Sequence, residues 1–173
     1  FIEGAGATHN NIKVNITPSE IILAGDSSIL DSINKVTLAT LDLTDFATTY
    51  SDEYPIVLDD EIINQSGFTS ASVEVEINGL TTKKLTVDNI SCINVTEGYT
   101  CEVVTEQIDV IIRGTEDELE QIGPENIRAV VDFMDFKESS GTYSVNAKIH
   151  VDGFNTVGAI GKYQITVNMK KNS

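Results

Sequence analysis

A mainly β fold with short helices, a β-rich α+β class, is what this sequence predicts, and three observations carry the prediction. Val, Ile and Thr recur in short runs, where a helical protein would carry longer stretches rich in Leu, Ala and Lys. Apolar and polar residues alternate within some of those runs. The order of runs, turns and caps occurs twice along the chain.

Ile12-Lys13-Val14-Asn15 alternates and reads as the first strand. Glu20-Ile21-Ile22-Leu23-Ala24 is an apolar run of buried-strand length that Gly25 ends. Asp26-Ser27-Ser28 supplies N-cap chemistry, and Ile29, Leu30 and Ile33 then recur at helical spacing for about two turns before Asn34-Lys35 closes a short helix. Residues 36–42 read as a strand, Leu43-Thr44-Asp45-Phe46 as a turn, and residues 55–58, 72–77 and 85–87 as further strands. Residues 90–96 and 99–104 open the second half as a pair of strands about Thr96-Glu97-Gly98.

The second half repeats the order of the first. Ile108-Asp109-Val110-Ile111-Ile112-Arg113-Gly114 mirrors residues 19–25, and residues 115–122, from Thr115 to Ile122, mirror residues 26–33. Each half thus offers a strand, a Gly, a cap and a short helix. Leu41-Asp42-Leu43-Thr44-Asp45-Phe46 answers to Val131-Asp132-Phe133-Met134-Asp135-Phe136, and Gly67-Phe68 answers to Gly153-Phe154. The period of roughly 85–90 residues exceeds the solenoid range of about 20–50, so each copy is expected to fold around its own core. The junction falls near Asp88, giving one copy over residues 1–87 and a second over 88–173, without a Pro-rich or Ser-rich linker and with an elongated arrangement expected.

A formal net charge of −16 sets up a negative potential that repels phosphate backbones and anionic lipid headgroups, so nucleic acid is not an expected partner. No apolar run reaches the roughly 18 residues of a membrane span. The sequence starts at Phe1, and an upstream signal or anchor is expected in the full-length protein. Cys92 and Cys101 flank the Thr96-Glu97-Gly98 turn; in a hairpin centred there they would face each other, as a disulfide or as two buried thiols.

The residues that bear reactive groups read as structural or solvated. Asp52-Glu53, Asp59-Asp60-Glu61 and Glu116-Asp117-Glu118 are charge runs of solvated faces, without calcium-loop spacing. Asp42 and Asp45, with Asp132 and Asp135, follow strands and are expected to cap their own turns. His9 and His150 are the only imidazoles, which rules out a three-histidine metal site within one chain, and neither sits in a pattern that points to nucleophilic catalysis. Gly4-Ala5-Gly6 lacks the strand, third glycine and Lys of a phosphate loop. The tripeptides at Asn15, Asn64, Asn89 and Asn94 match the glycosylation pattern by composition. No catalytic, cofactor-binding or metal-ligating residue is assigned, and no cofactor and no enzymatic activity are expected.

Leu85-Thr86-Val87-Asp88-Asn89-Ile90, then Asn94-Val95-Thr96-Glu97-Gly98-Tyr99, then residues 108–114, a short helix and Val130-Val131-Asp132 together resemble the YbbR-like domain. Repeats of that family read as a Gly-Tyr turn, an extended stretch, a strand ending in Gly, a short helix ending in Ile, and a strand ending in a Val-Asp-like pair before a turn. Residues 90–170 follow the pattern throughout. The first copy follows it from residue 12 to residue 87, but its opening segment lacks the Gly-Tyr turn.

The resemblance implies tandem YbbR-like modules with a small, twisted β fold and no catalytic residues. It also implies an extracytoplasmic place at the bacterial cell envelope, an N-terminal transmembrane anchor in the full-length protein, and regulation of a membrane-bound diadenylate cyclase, which makes cyclic di-AMP, through protein contact. The rival expectation is a passive cell-surface spacer or adhesion module of tandem β domains.

Overall fold

The structure, a computed structural model, describes residues 1–134 and 139–172. The fold is mainly β with short helices, as the composition predicts. In the first half, β1 (Ile12–Thr17), β3 (Thr49–Pro55) and β5 (Ser70–Ile77) form an antiparallel sheet with β5 in the centre. Alternation places β5: Ala71, Val73, Val75 and Ile77 are buried while Ser72, Glu74 and Glu76 face solvent. A two-stranded ladder joins β2 (Leu23–Ala24) to β4 (Ile63–Asn64), and α1 (Ser27–Leu30) follows β2.

The second half contains β6 (Thr81–Val87), β7 (Ile90–Ile93), β8 (Tyr99–Val103), β9 (Ile108–Gly114) and α2 (Glu116–Glu120). A 3-10 turn (Pro124–Asn126), β10 (Ile127–Asp132), β11 (Gly141–Val151), β12 (Gly158–Ile160) and β13 (Tyr163–Lys171) complete it. Five strands run in the order β7-β10-β11-β13-β8, and only β7 and β10 are parallel. The long β11 changes partner between Ala147 and Lys148: its first part pairs with β13 and its second with β10. A strand shared in this way turns a corner, which folds the sheet over a core of Ala129, Val131, Phe133, Ile165, Val167 and Met169.

The Cys92–Cys101 disulfide joins β7 to β8, which lie at opposite ends of that strand order, with Cα atoms 6.5 Å apart. The thiols therefore meet, but not across the expected hairpin: β7 pairs with β10 and β8 with β13, and the bond closes the sheet edge to edge. In the third sheet of this half, β9 lies between β12 and β6. It carries its own core of Val87, Val110, Ile112, Leu119, Ile122, Ile127 and Val157.

The pairings of the two halves correspond. The order β1-β5-β3 matches β8-β13-β11, and β2–β4 matches β9–β12. In each half the strand that leads into the Gly pairs antiparallel with a short strand, Leu23↔Asn64 and Ala24↔Ile63 in one and Ile112↔Ala159 and Arg113↔Gly158 in the other. The parallel bridge Ile2↔Asp42 matches Ile93↔Asp132 in the parallel β7–β10 pair. Gly67 and Gly153 both take a positive φ, 78° and 89°, but they hold different places, since Gly67 follows β4 and Gly153 precedes β12.

Several elements differ from the sequence reading. Within residues 20–24 only Leu23 and Ala24 are strand, and Ile22 is 65% exposed. The corresponding β9 has a neighbour on each side, whereas β2 has only β4. The expected helix of two turns stops at Leu30, with three-residue turns carrying the chain to Ile33. Residues 36–42 form no strand, and residues 56–58 do not either, because the strand lies earlier and ends at Pro55. β3 pairs with β5 as far as Pro55, and Ile56 N–H still bonds Thr69 O at 2.9 Å, while β11 goes on past Ala147 to meet β10.

The division between residues 87 and 88 also meets a structural fact. Strand β6, at the end of the first copy, hydrogen-bonds to β9 of the second from Thr81↔Gly114 to Val87↔Ile108. The cut thus separates β6 from the sheet that it completes.

Candidate functional site

The most heavily bonded polar side chain is Arg113, at the end of β9. It is fully buried, yet no carboxylate meets it. Its Nε donates to Ala5 O at 2.9 Å, Nη1 to Phe46 O and Ala47 O at 2.8 Å each, and Nη2 to Gly4 O at 2.8 Å. Burial draws the guanidinium below its ordinary pKa, and the acceptors supply what water would have supplied. Every acceptor belongs to the first half. Arg113 is thus a clamp between halves, and Gly4-Ala5-Gly6, without meaning as a phosphate loop, is its socket. A Cβ on Gly6 would lie 2.6 Å from Thr156 O, so the socket also needs a residue without a side chain there.

A second cation works in the same manner within the second half. Lys83 Nζ, from β6, donates to Leu119 O at 2.8 Å and Ile122 O at 2.7 Å, satisfying carbonyls at the C-terminal end of α2. At the other end of that helix the Glu118 carboxylate accepts from Thr115 N–H at 3.3 Å and Thr115 Oγ1 at 2.7 Å, and also from the Thr156 hydroxyl. The Thr156 bond, the largest cause, and the Thr115 bonds hold Glu118 below the usual carboxylate range.

The aspartates that recur behave unequally. Asp42 Oδ1 accepts from Thr44 Oγ1 at 2.7 Å and Thr44 N–H at 2.9 Å, which lowers its pKa and caps the turn as expected. Asp132 Oδ1 accepts from Asn94 Nδ2 at 2.7 Å and Met134 N–H at 3.0 Å, again with a lowered pKa. Asp45 instead lies 3.8 Å from Lys162 Nζ on the surface. Asp135 falls outside the described residues.

The remaining candidates are dispersed. His9 Nδ1 lies 2.7 Å from Glu3 Oε1 in an exposed pair. His150 sits on β11 opposite Arg128, whose guanidinium grips Asp152 at 2.5 and 2.8 Å. Asp52 accepts from Glu53 N–H and from Tyr50 Oη, Glu53 accepts from the Ser70 hydroxyl, and residues 59–61 are exposed in a turn. Asn64 spends its side chain on local bonds to Phe68 O and Ser66, and Asn94 bonds Asp132, 38 positions away. No group of three or more His, Cys, Asp or Glu gathers among the described residues. No helix among them is long and apolar enough to cross a membrane.

A concave surface in the first half is a groove of about 370 Å³ whose apolar lining includes Ile16, Ile21, Leu23, Ile33, Val36 and Leu38. Its charged lining residues are Glu20 and Lys35. The sequence signals behind both features are small: a lone Arg at the end of an apolar run, and an apolar run whose neighbour is missing.

Arg113 thus secures the joint between halves, Lys83 a helix end and Asp42 a turn. No family model matches the chain, and no curated protein matches its sequence. Among solved structures, a YbbR-like protein from Streptococcus pneumoniae TIGR4 is similar at 13% identity, covering 95% of this chain and 89% of that one, with a TM-score of 0.33.

Proposed function

We propose that the chain consists of two copies of one YbbR-like module and acts by binding another protein rather than by turnover. The observation that carries this reading is the recurrence of one pairing order, β1-β5-β3 with β2–β4 in the first half and β8-β13-β11 with β9–β12 in the second. Two halves with the same order of short motifs and the same strand neighbours fit a duplicated unit. The polar side chains support contact over chemistry, because Arg113, Lys83, Asp42 and Glu118 are each committed to a structural bond.

In the finer form of the proposal, the module pair sits outside the bacterial cytoplasm, is held there by an anchor in the longer protein, and biases a membrane diadenylate cyclase through differential affinity for its states. Deleting the gene and measuring cyclic di-AMP tests this. A changed level, restored by the anchored chain and accompanied by capture of the cyclase, is expected; an unchanged level with no capture sinks the regulatory form. A passive spacer is the second reading, favoured by the Arg113 clamp, which suits a part that holds two modules at a fixed angle.

A further inference from the structure

We infer that the Cys92–Cys101 disulfide is a redox latch: intact, it closes the five-stranded sheet, and when a dithiol reduces it β7 and β8 part while the rest of the chain stays folded. The bond stands where the main chain supplies no ladder. Among the described strands β7 pairs with β10 and β8 with β13, and the two cysteines bring these end strands to a Cα separation of 6.5 Å. Each cysteine lies beside a buried residue of the core in its own ladder, Cys92 opposite Val131 and Cys101 opposite Met169, both 1% exposed. The bridge therefore packs on the seam of that core. Both cysteines are only half-buried, which leaves the sulfurs within reach of a small reductant.

What else holds β7 is slight. Its ladder to β10 covers Ile90 to Ile93 and is parallel, the pairing that is slightly less stable per residue. Ala129 N–H to Asn89 O and Phe133 N–H to Ile93 O bound that ladder, and the Asn94 amide donates to Asp132 at 2.7 Å in an exposed bond. β8 is the better held of the two, with Tyr99 to Val103 laid antiparallel along β13. Residues 94–98 link the two strands through a turn in which Asn94 takes φ 54° and Gly98 φ 88°. Without the sulfur bridge, β7 is the strand that leaves first.

Opening at this seam stays local. The core beside β9, which includes Val110, Ile112 and Ile122, draws no residue from β7 or β8 among the described residues. Arg113 and its carbonyl acceptors also lie outside the seam. A unit bounded in this way can open on its own, short of global unfolding. In the step itself one thiolate of the dithiol attacks a cysteine sulfur, and its second thiol resolves the mixed disulfide. Two electrons and two protons pass to Cys92 and Cys101, which leave as thiols while the dithiol closes to a disulfide. The parted strands uncover Val131 and Met169 and leave two edges free, so the second half offers a different contact surface in each redox state.

The test uses the full chain with dithiothreitol as the dithiol. Both cysteines are expected to become reactive thiols without denaturant, with amide exchange in β7 and β8 about tenfold faster and that in β9 and β12 unchanged. A dye that senses apolar surface is expected to bind more, and reoxidation to restore the starting rates. Cys92→Ser with Cys101→Ser is expected to show the fast rates from the outset and to ignore dithiothreitol. Thiols that appear only in urea, exchange in β7 and β8 that reduction leaves unchanged, or an opening that reoxidation does not reverse overturns the inference. Protection lost from β9 together with β7 overturns it as well, because the bond is then a staple of the whole half, and a double-serine variant that does not fold has the same meaning.

Discussion

Leu23 and Ile112 hold corresponding places in the two halves and meet different surroundings. Ile112 lies in a seven-residue strand with β6 on one side and β12 on the other, and it is fully buried. Leu23 lies in a two-residue strand with β4 alone and faces a groove. The residues are equally apolar, so the difference comes from the missing neighbour. Strand length and burial are here set by what lies beside the segment, more than by the segment's own propensity.

The largest expected effect lies at the joint between halves. Arg113→Met removes all four bonds of a fully buried guanidinium, and should cost about 3–5 kcal/mol; a urea midpoint that does not move would show that the clamp contributes nothing. Next comes the comparison itself. Ile112→Ala should cost about 2–5 kcal/mol, and Leu23→Ala no more than about 1 kcal/mol, because a half-buried site loses less packing. Equal losses in chemical denaturation would erase the contrast between the halves.

Removing the disulfide with Cys92→Ser and Cys101→Ser should cost about 2–3 kcal/mol for so short a loop. Amide exchange should rise first in β7 and β8, since these edges are no longer tied. The smallest effect concerns pH. The Asp42 carboxyl is lowered by the Thr44 hydroxyl first and the Thr44 N–H second. Its contribution is therefore complete above the ordinary aspartate value of about 4 and is lost as pH falls through the depressed value. The stability difference between the protein and Asp42→Ala should shrink across that window; a difference constant from pH 7 to pH 3 would sink the assignment.

Much of this fold was legible in the sequence because certain residues speak locally. Alternation placed β5, the Asp26 and Thr115 positions began short helices, and Asp42 and Asp132 capped turns. The rest depended on residues far away. Nothing near Cys92 says that its partner strand closes the far edge of a folded sheet, and nothing near residues 36–42 says that the fold will bring them no partner strand. Arg113 was passed over for the same reason: its acceptors stand 66 to 109 positions away in sequence.

The joint made by Arg113 has no ordinary release. Its acceptors are main-chain carbonyls, which do not titrate, and a guanidinium keeps its proton through the biological pH range. Neither acid nor added salt, which loosen exposed ion pairs such as Lys84 with Asp109, has a direct handle on it. A displacement imposed on one half is therefore passed to the other as through a bolted bracket, whatever the acidity or ionic strength of the surrounding medium.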